Sequence, residues 1–434
     1  MSLIEIALMM QLHGVKVDRE KQTELVSKWR SRAEELKSAL DKILSKPINF
    51  SSTKQMQELL YVDLGLPIQY KRRKSVNDPR TVTTDANALK TLSRLVPDNP
   101  VFNLILEYKK SNTLVKNFLD IELSPEDRVH TSYNITGASS DIEEDTKKTK
   151  RSFGRWSSSG SIIIPYGSGN LQNIPAEARK MYRTLPGWKI VQADYVQAEG
   201  VVVAYLSGNQ KLKKIFQDSF GLAKSERTAY DIHIMKASEV FGVPIEQVTP
   251  EQRKIGKVLR HARAYSAGPQ VLANALGVSL SRAKFLIEKD KQIDPMLEMW
   301  HLSIQNELKR TRTLYNLFGR KHRFLDRWGD QLFRSAYSYN PQATVGDLLN
   351  YALRNLYILL PSLPYEVIPI FQLHDAMYNM IKEESIEEFI LALRKCMLIP
   401  LKHNNEEFTI DVDFAVGDSW AEYNELDINW RKGE

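Results

Sequence analysis

The sequence contains a single cysteine, Cys396, among its 434 residues. One thiol excludes an internal disulfide and any zinc site built from several cysteines, and it is typical of a reducing compartment. No run of about 18 apolar residues occurs, so no segment is expected to span a membrane. The apolar start of the chain does not predict a signal peptide, because Glu5 interrupts it and no basic segment comes before it.

Neither sign of charge dominates the sequence. Lys and Arg number 60 against 53 Asp and Glu, which gives a net charge of +7. This excess favours a polyanionic partner such as nucleic acid, but a solvated basic surface explains it equally well. Hydrophobic residues make up 42% of the chain, which is enough for a folded protein with a sizeable core.

The hydrophobic pattern predicts a helical first part followed by mixed helices and strands. Helices are predicted at 18–45, 51–67, 85–122, 249–266 and 384–398, and they should dominate 228–316. Strands are predicted at the start of 188–208, which then changes to helical spacing, and at 366–381 and 408–416. This order predicts an α+β protein with a small antiparallel sheet, one face of which can carry a polar site.

Two aspartates stand in segments that are otherwise patterned for burial. Asp194 ends the strand KIVQADY, and Asp375 lies in the middle of IFQLHDAMYNMI, residues 370–381. If the two strands are neighbours, their carboxylates repel each other unless a cation lies between them. Two divalent ions held about 4 Å apart by such carboxylates can catalyse a phosphoryl transfer. Alternatively, each aspartate pairs with a lysine at the end of its strand.

The helix 249–266, TPEQRKIGKVLRHARAYS, combines a defined start with a basic face. Thr249 is the N-cap, Pro250 the first helical residue, and Gln252 stands at the capping-box position. Four residues then recur every four positions as a slowly turning stripe: Arg253, Lys257, His261 and Tyr265. Cations on such a stripe suit a triphosphate, and the aromatic ring suits a stacked base. A solvated basic helix face would show the same spacing.

Eight short motifs follow one another in an order that is typical of one family. DYVQAE is similar to Asp-Tyr-Ser-Gln-Ile-Glu, RKIGKVLRHARAYSAG to Arg-x3-Lys-x3-Phe/Tyr-Gly-x2-Tyr-Gly, and QLHDA to a His-Asp-Glu motif. The other five are GRWSSS, NLQNIP, DIH…FGVP…VTPEQR, LFGRKHRF and VDFAVGDSW. With these motifs the chain resembles the polymerase part of family A (DNA polymerase I-like) DNA polymerases.

The resemblance implies a right-hand architecture with thumb, palm and fingers, an antiparallel palm sheet and many helices. The expected parts are an N-terminal segment on the palm side (1–19), a helical thumb (20–127), a first part of the palm with a charged insertion at 139–151 (128–208), fingers that contain the helix 249–266 (209–330), and a second part of the palm (331–434). The exonuclease region that precedes the thumb in the family is missing from the sequence, so the chain is not expected to proofread.

The resemblance also implies roles for individual residues. Asp194 and Asp375 are expected to bind two Mg²⁺ ions, for which Mn²⁺ can substitute, with the backbone carbonyl of Tyr195 as a further ligand. Lys257 is expected to be the general acid for the departing pyrophosphate. The other residues expected around the incoming dNTP are Arg253, His233, His261, Tyr265 and Gln197. The residues expected to contact primer or template are Arg155, Arg334, Gln342 and His374.

Glu199 is the residue from which the resemblance predicts the choice of sugar. It matches a family glutamate that fills the space a ribose 2′-hydroxyl would need, so deoxynucleotides are expected. Some residues depart from the family motifs. His261 replaces Phe or Tyr, and Ala376 replaces the glutamate after the catalytic aspartate. The remaining replacements are Ala262 and Ser266 for two glycines, Val201 for an arginine and Ser338 for an asparagine. Such departures are more usual in phage-encoded or divergent members.

The expected function is therefore that of a DNA-directed DNA polymerase, monomeric and cytoplasmic in a bacterial cell or a phage-infected host. Its expected partners are primer-template DNA, dNTPs and a separate exonuclease or other replication proteins, and no membrane. Two other functions stay open. One is an RNA-synthesising or RNA-copying relative, against which Glu199 argues. The other is a replication accessory protein that binds DNA without catalysis, which Ala376 favours.

Overall fold

The computed structural model describes residues 3–44, 46–71, 79–135 and 153–432. The predicted charged insertion at 139–151 lies outside these residues. Within them, no helix combines the length and the apolar character needed to cross a membrane.

The first half of the described chain is mostly helical. Its helices and strands are α1 (Ile4–His13), β1 (Val15–Lys16), α2 (Arg19–Leu44), α3 (Thr53–Gln57), α4 (Ala86–Ser93), α5 (Val101–Leu114), β2 (Arg128–Val129), β3 (Thr131–Asn134), β4 (Ser157–Gly160), α6 (Ala176–Arg179), β5 (Trp188–Tyr195), α7 (Ala198–Ser207) and α8 (Gln210–Ser219).

The second half begins with further helices and ends with most of the central sheet. Its elements are α9 (Ile232–Phe241), α10 (Pro250–Ala264), α11 (Pro269–Leu276), α12 (Leu280–Ile293), α13 (Pro295–Thr311), β6 (Thr313–Tyr315), β7 (Lys321–Arg323), α14 (Asp330–Leu359), β8 (Val367–Leu373), β9 (Ala376–Lys382), α15 (Ile386–Met397), β10 (Leu401–His403), β11 (Glu406–Phe408), β12 (Val412–Ser419) and β13 (Glu422–Glu425).

The helix α1 was not predicted, but the N-terminal helices after it form where the sequence predicts them. α2 ends shortly before Pro47, and α3 starts at a cap in which the Oγ of Ser52 accepts a hydrogen bond from the amide of Gln55 at 3.4 Å. Gly65, at φ 59°, follows the end of that helical unit. Side chains from α2, α3, α4 and α5 then pack around Met56 and Phe102, so this part of the chain has a hydrophobic core of its own.

Five antiparallel strands form the central sheet in the order β13-β12-β5-β9-β8. Val191 and Ala193 on β5 pack toward α7, α14 and α15, whereas Ile190 packs on the opposite face in a core that includes Leu25 of α2. Both faces are therefore buried, and polar side chains are accommodated best at the ends of the strands. The expected α+β fold with an antiparallel sheet is confirmed.

Two segments around the central sheet also differ from the sequence prediction. The segment 366–381, predicted as strand throughout, is a hairpin in which β8 and β9 pair with each other. The helix α14 was not predicted, and it contains Pro341 in its interior. Proline lacks an N–H and usually ends or kinks a helix, so the sequence argued against a helix of this length. Extensive burial of α14 beside the sheet overrides that local preference.

The helices α9, α10, α12 and α13 are joined by a cluster of buried charges. Asp290 on α12 lies 3.1 Å from Nε of Arg263 on α10 and 2.8 Å from Nζ of Lys236 on α9. Arg263 also pairs with Glu298 on α13. The side chains of Asp290 and Arg263 are only 2% and 5% exposed, so each charge depends on its partner rather than on water.

Replacing Asp290 with alanine is expected to lower the free energy of unfolding by about 3–5 kcal/mol, because two buried cations lose their shared anion. Chemical denaturation followed by circular dichroism measures the change. Asp218→Ala is the matched control, since Asp218 forms an exposed helix pair with Lys214 and should change stability by less than about 0.5 kcal/mol. Similar losses for the two variants would mean that the buried cluster does not hold these helices together.

Candidate active site

Asp375 lies in the turn of the β8–β9 hairpin. Leu373 pairs with Ala376 across the hairpin, so His374 and Asp375 form a two-residue connection. His374 has φ 59°, the left-handed conformation that such short turns require. The apolar residues of the segment 370–381 belong to the two buried strands, and its polar residues belong to the turn at the end of the sheet.

Asp194 stands at the same end of the sheet, on the central strand β5. It is in register with Ala376 on one neighbouring strand and with Asp413 on the other. The amide of Tyr195 donates a hydrogen bond to the backbone carbonyl of Asp375 at 3.3 Å. The structure thus brings close together two aspartates that are 181 positions apart in the sequence.

The site is electrostatically unfavourable without a cation. Burial, followed by the charges of Asp375 and Asp413, raises the pKa of Asp194 to about 7. Burial also raises the pKa of Asp375. One carboxyl oxygen of Asp194, Oδ1, is buried and has no hydrogen-bond partner among the described residues. A divalent cation beside both carboxylates would satisfy this oxygen and offset the repulsion.

The donor set fits Mg²⁺ that is completed by a substrate. Among the described residues, no three side chains of His, Cys, Asp or Glu are arranged to hold an ion. Mg²⁺ commonly uses only one or two protein carboxylates and takes its other oxygens from water and substrate phosphates. Asp194 and Asp375, together with the carbonyl of Tyr195, would supply such a partial set.

Asp413 is a third carboxylate at this end of the sheet that the sequence analysis missed. It forms an ion pair with Arg227, so its charge is compensated within the protein. A signal for it was present in the sequence, because Asp413 alternates with Val412 and Phe414 in the predicted strand 408–416 and belongs to the motif VDFAVGDSW. What the sequence did not contain was the register that places Asp413 opposite Asp194.

Helix α10 starts as predicted and packs closely on α9. Thr249 and Gln252 form the full capping box, and Pro250 is the first helical residue. A Cβ added to Gly256 would lie 2.4 Å from the carbonyl oxygen of His233, so glycine permits this close approach of the two helices. The stripe of α10 is thereby held next to His233.

His233 is uncharged at neutral pH in this structure. Burial, and after it the charge of Arg260, lowers the pKa of His233 to about 4. Its Nδ1 is buried and has no hydrogen-bond partner among the described residues. Arg253 lies close by, with Nε 2.8 Å from Asp231, the residue that caps α9. Lys257 is exposed one turn further along α10.

A cavity of about 280 Å³ separates α10 from the end of the sheet. The residues in its wall that the sequence analysis predicted for the site are Gln197, Glu199, His233, His261, Tyr265 and Asp375. Asp194, Arg253 and Lys257 are not in its wall. Two residues of the predicted stripe, His261 and Tyr265, and one of the two predicted aspartates, Asp375, therefore face one space, which is large enough for part of a nucleotide.

The residues expected to contact DNA are more scattered. Arg155 forms an ion pair with Glu199. Arg334 and Gln342 lie on α14, where Arg334 Nη2 is 3.5 Å from Asp330, and His374 is exposed in the hairpin turn. None of these four described residues lines the cavity.

Ala262 and Ser266 replace the two glycines of the family motif, and their backbone conformations differ. Ala262 is helical, so a glycine is not required there. Ser266 has φ 51°, a left-handed conformation that glycine adopts most easily. The backbone shape at 266 therefore fits the family glycine although the side chain differs.

The chain is similar to known proteins over most of its length. The model of DNA polymerase family A matches residues 19–422. DNA polymerase I, thermostable, from Thermus filiformis is 26% identical over 95% of this chain and 46% of its own length, and DNA polymerase I from Chloroflexus aurantiacus is 28% identical over 98% and 43%. Among solved structures, the POL domain of Pol1 from M. smegmatis in complex with DNA primer-template and dNTP has a TM-score of 0.79, at 24% identity, over 96% of this chain and 69% of that one.

The fold is thus that of a family A polymerase domain. The chain belongs to DNA polymerase family A. It spans about half the length of the curated relatives it matches.

Proposed function

We propose that the chain is a template-directed DNA polymerase that adds deoxynucleotides to a primer 3′-hydroxyl. The observation that carries this proposal is the meeting of Asp194 and Asp375 at one end of the sheet, across a cavity from the basic helix α10. In this assignment residues 20–127 are the thumb, 128–208 and 331–434 the palm with 1–19 beside it, and 209–330 the fingers.

Asp194, Asp375 and the carbonyl of Tyr195 would hold two Mg²⁺ ions, for which Mn²⁺ can substitute. When bound, such ions activate the primer oxygen and neutralise charge on the phosphates. The raised pKa of Asp194 and its buried, unpartnered oxygen support this assignment. The chain's own part is to hold both carboxylates in fixed positions on paired strands and to keep them partly away from water.

Helix α10 would bind the triphosphate of the incoming nucleotide. Arg253 and Lys257 provide positive charge, and His233 donates a hydrogen bond from its neutral ring. Lys257 would then give a proton to the departing pyrophosphate. Because Arg253 and Lys257 are outside the cavity wall, a small rotation of α10 toward the sheet would complete the site, which makes nucleotide selection a closing step.

The remaining predicted residues would surround the sugar, the base and the DNA. Gln197, His261 and Tyr265 line the cavity on the side of the sugar and the nascent base pair. The proposed contacts to primer or template are Arg155, Arg334, Gln342 and His374. The proposed partners are primer-template DNA and dNTPs. A separate exonuclease would act with a monomeric, cytoplasmic enzyme.

A primer-extension assay tests this proposal. Purified protein with a labelled primer-template, four dNTPs and Mg²⁺ is expected to extend the primer, and EDTA is expected to stop the reaction. Ala376 favours a second function, a replication accessory protein without catalysis. Tight binding of the primer-template with no extension in Mg²⁺ or Mn²⁺ would support that function and refute ours.

Replacing Glu199 with alanine is expected to raise ribonucleotide incorporation at least tenfold relative to deoxynucleotide incorporation. The carboxylate lines the cavity beside His261, and its removal opens space for a 2′-hydroxyl. Single-nucleotide incorporation with dNTP and rNTP on the same template measures the ratio. An unchanged ratio would show that Glu199 is not the sugar gate and would reopen the possibility of an RNA-synthesising relative.

A further inference from the structure

The ion pair between Arg155 and Glu199 joins a residue assigned to DNA with a residue assigned to the sugar of the nucleotide. Their side chains are 27% and 21% exposed, so most of the pair is removed from water. An ion pair of this kind restrains its two side chains more strongly than a surface pair does, because an unpaired charge that is mostly removed from water is energetically unfavourable.

The backbone that carries Arg155 is held in place by α14. A Cβ added to Gly346 on α14 would lie 3.2 Å from the amide nitrogen of Arg155, so the backbone at 154–155 rests directly on that helix. Nδ2 of Asn350 donates a hydrogen bond to the carbonyl of Gly154 at 3.4 Å.

A second arginine supports the same loop from the other side. Arg320 lies against Gly154, where a Cβ would be 3.0 Å from its Nε. Nε and Nη2 of Arg320 donate to the two carboxyl oxygens of Asp347 at 2.8 and 2.6 Å. Bidentate pairs of this kind fix the plane of the guanidinium. The loop that carries Arg155 is therefore held between α14 and an anchored side chain.

Within the described part of the chain, Glu199 has no comparable support of its own besides its ion pair with Arg155. It lies in the first turn of α7, which starts from Gln197 in a left-handed conformation, and its side chain lines the open cavity beside His261. A glutamate side chain has three rotatable bonds, and an unrestrained one samples several rotamers. A steric gate discriminates only if its atoms stay in place when the wrong substrate arrives.

We propose that Arg155 is a positioning residue for the sugar gate, which holds the Glu199 carboxylate where a ribose 2′-hydroxyl would otherwise fit. This inference rests on the proposed function. It makes selection against ribonucleotides depend on Arg155 as well as on Glu199. Because Arg155 is also assigned to primer or template, sugar selection and DNA contact depend on the same side chain.

The test is a double-mutant cycle on sugar discrimination, the ratio of kcat/KM for a dNTP to that for the matching rNTP. Arg155→Ala is expected to lower this ratio at least tenfold, mainly through a lower KM for the rNTP. Arg155→Lys keeps the positive charge but loses the planar guanidinium group with its several N–H donors. This variant is expected to give an intermediate ratio. In the Glu199→Ala background, Arg155→Ala is expected to leave the ratio unchanged within twofold, because the gate is already gone.

Arg334→Ala is the matched control, since Arg334 is also assigned to DNA but pairs with Asp330 rather than with Glu199. It is expected to weaken DNA binding without changing the ratio. The proposal is overturned if Arg155→Ala slows dNTP and rNTP incorporation equally, or if its effect on the ratio is the same with and without Glu199. If Glu199→Ala itself leaves the ratio unchanged, the gate assignment fails. Absence of extension by the wild type overturns the proposed function as well.

Discussion

Replacing Asp194 or Asp375 with asparagine is expected to reduce primer extension by at least about a thousandfold. Loss of a metal-binding carboxylate removes several kcal/mol of charge stabilisation in the transition state, and each 1.36 kcal/mol corresponds to about a factor of ten in rate. Single-turnover incorporation of one dNTP at saturating DNA measures the effect. Either variant retaining near-normal rates would show that its carboxylate does not bind a catalytic ion.

The same change at Asp194 is expected to stabilise the metal-free protein. The pKa of Asp194 is raised in the folded state, so its contribution to stability is fully present below the unfolded pKa near 4 and is lost as the pH rises through about 7. At about pH 8 and without metal, Asp194→Asn should therefore unfold at a higher temperature than the wild type. The difference should disappear at about pH 4.

The same unfolding measurement is repeated with Mg²⁺, and a variant of a surface carboxylate serves as the control. Mg²⁺ is expected to stabilise the wild type against unfolding and to have little effect on Asp194→Asn, because a ligand stabilises only a fold that binds it. Asp418→Asn changes an exposed carboxylate on the same sheet that pairs with Lys189, and it should leave extension unchanged. Equal stabilisation of wild type and Asp194→Asn by Mg²⁺ would contradict the assignment.

Replacing Lys257 with alanine is expected to lower the rate of incorporation about 10²–10⁴-fold, the usual contribution of a positioned general acid. DNA affinity should change far less, because the partner of Lys257 is the nucleotide. Rapid-quench kinetics and a DNA-binding titration measure the two quantities separately.

Lys254→Ala is the matched control for this prediction. Lys254 is exposed on the same helix but is not part of the stripe formed by Arg253, Lys257, His261 and Tyr265. Its replacement should change incorporation by less than about threefold. Equal losses in rate and in DNA affinity for Lys257→Ala would mean that the lysine contacts DNA instead.

Local signals in the sequence predicted much of the fold and of the candidate site. Thr249, Pro250 and Gln252 define the start of α10 through contacts within a single turn, so the helix could be located without tertiary information. Likewise, the change from strand to helical spacing after Asp194 located β5 and α7. The β8–β9 hairpin was missed because nearly every residue on both sides of its turn is apolar, so no alternation marks where the chain reverses.

Long-range pairings could not be read from the sequence. Asp413 meets Asp194 only through the register of β12 and β5. Arg155 and Glu199 lie 44 positions apart and are brought together by the packing of a loop on α14. Asp413, Arg155 and Glu199 each belong to a motif that the sequence shows. The residue that each of them contacts is determined by tertiary packing.

A crystal structure of the protein with primer-template, a matching dNTP and Mn²⁺ would show whether Asp194 and Asp375 bind the same two ions. Anomalous diffraction locates the Mn²⁺ ions independently of the rest of the structure. Two anomalous peaks are expected at ligand distance from both Asp194 and Asp375, next to the phosphates of the nucleotide. Peaks elsewhere, or ions that contact only one of the two carboxylates, would contradict it.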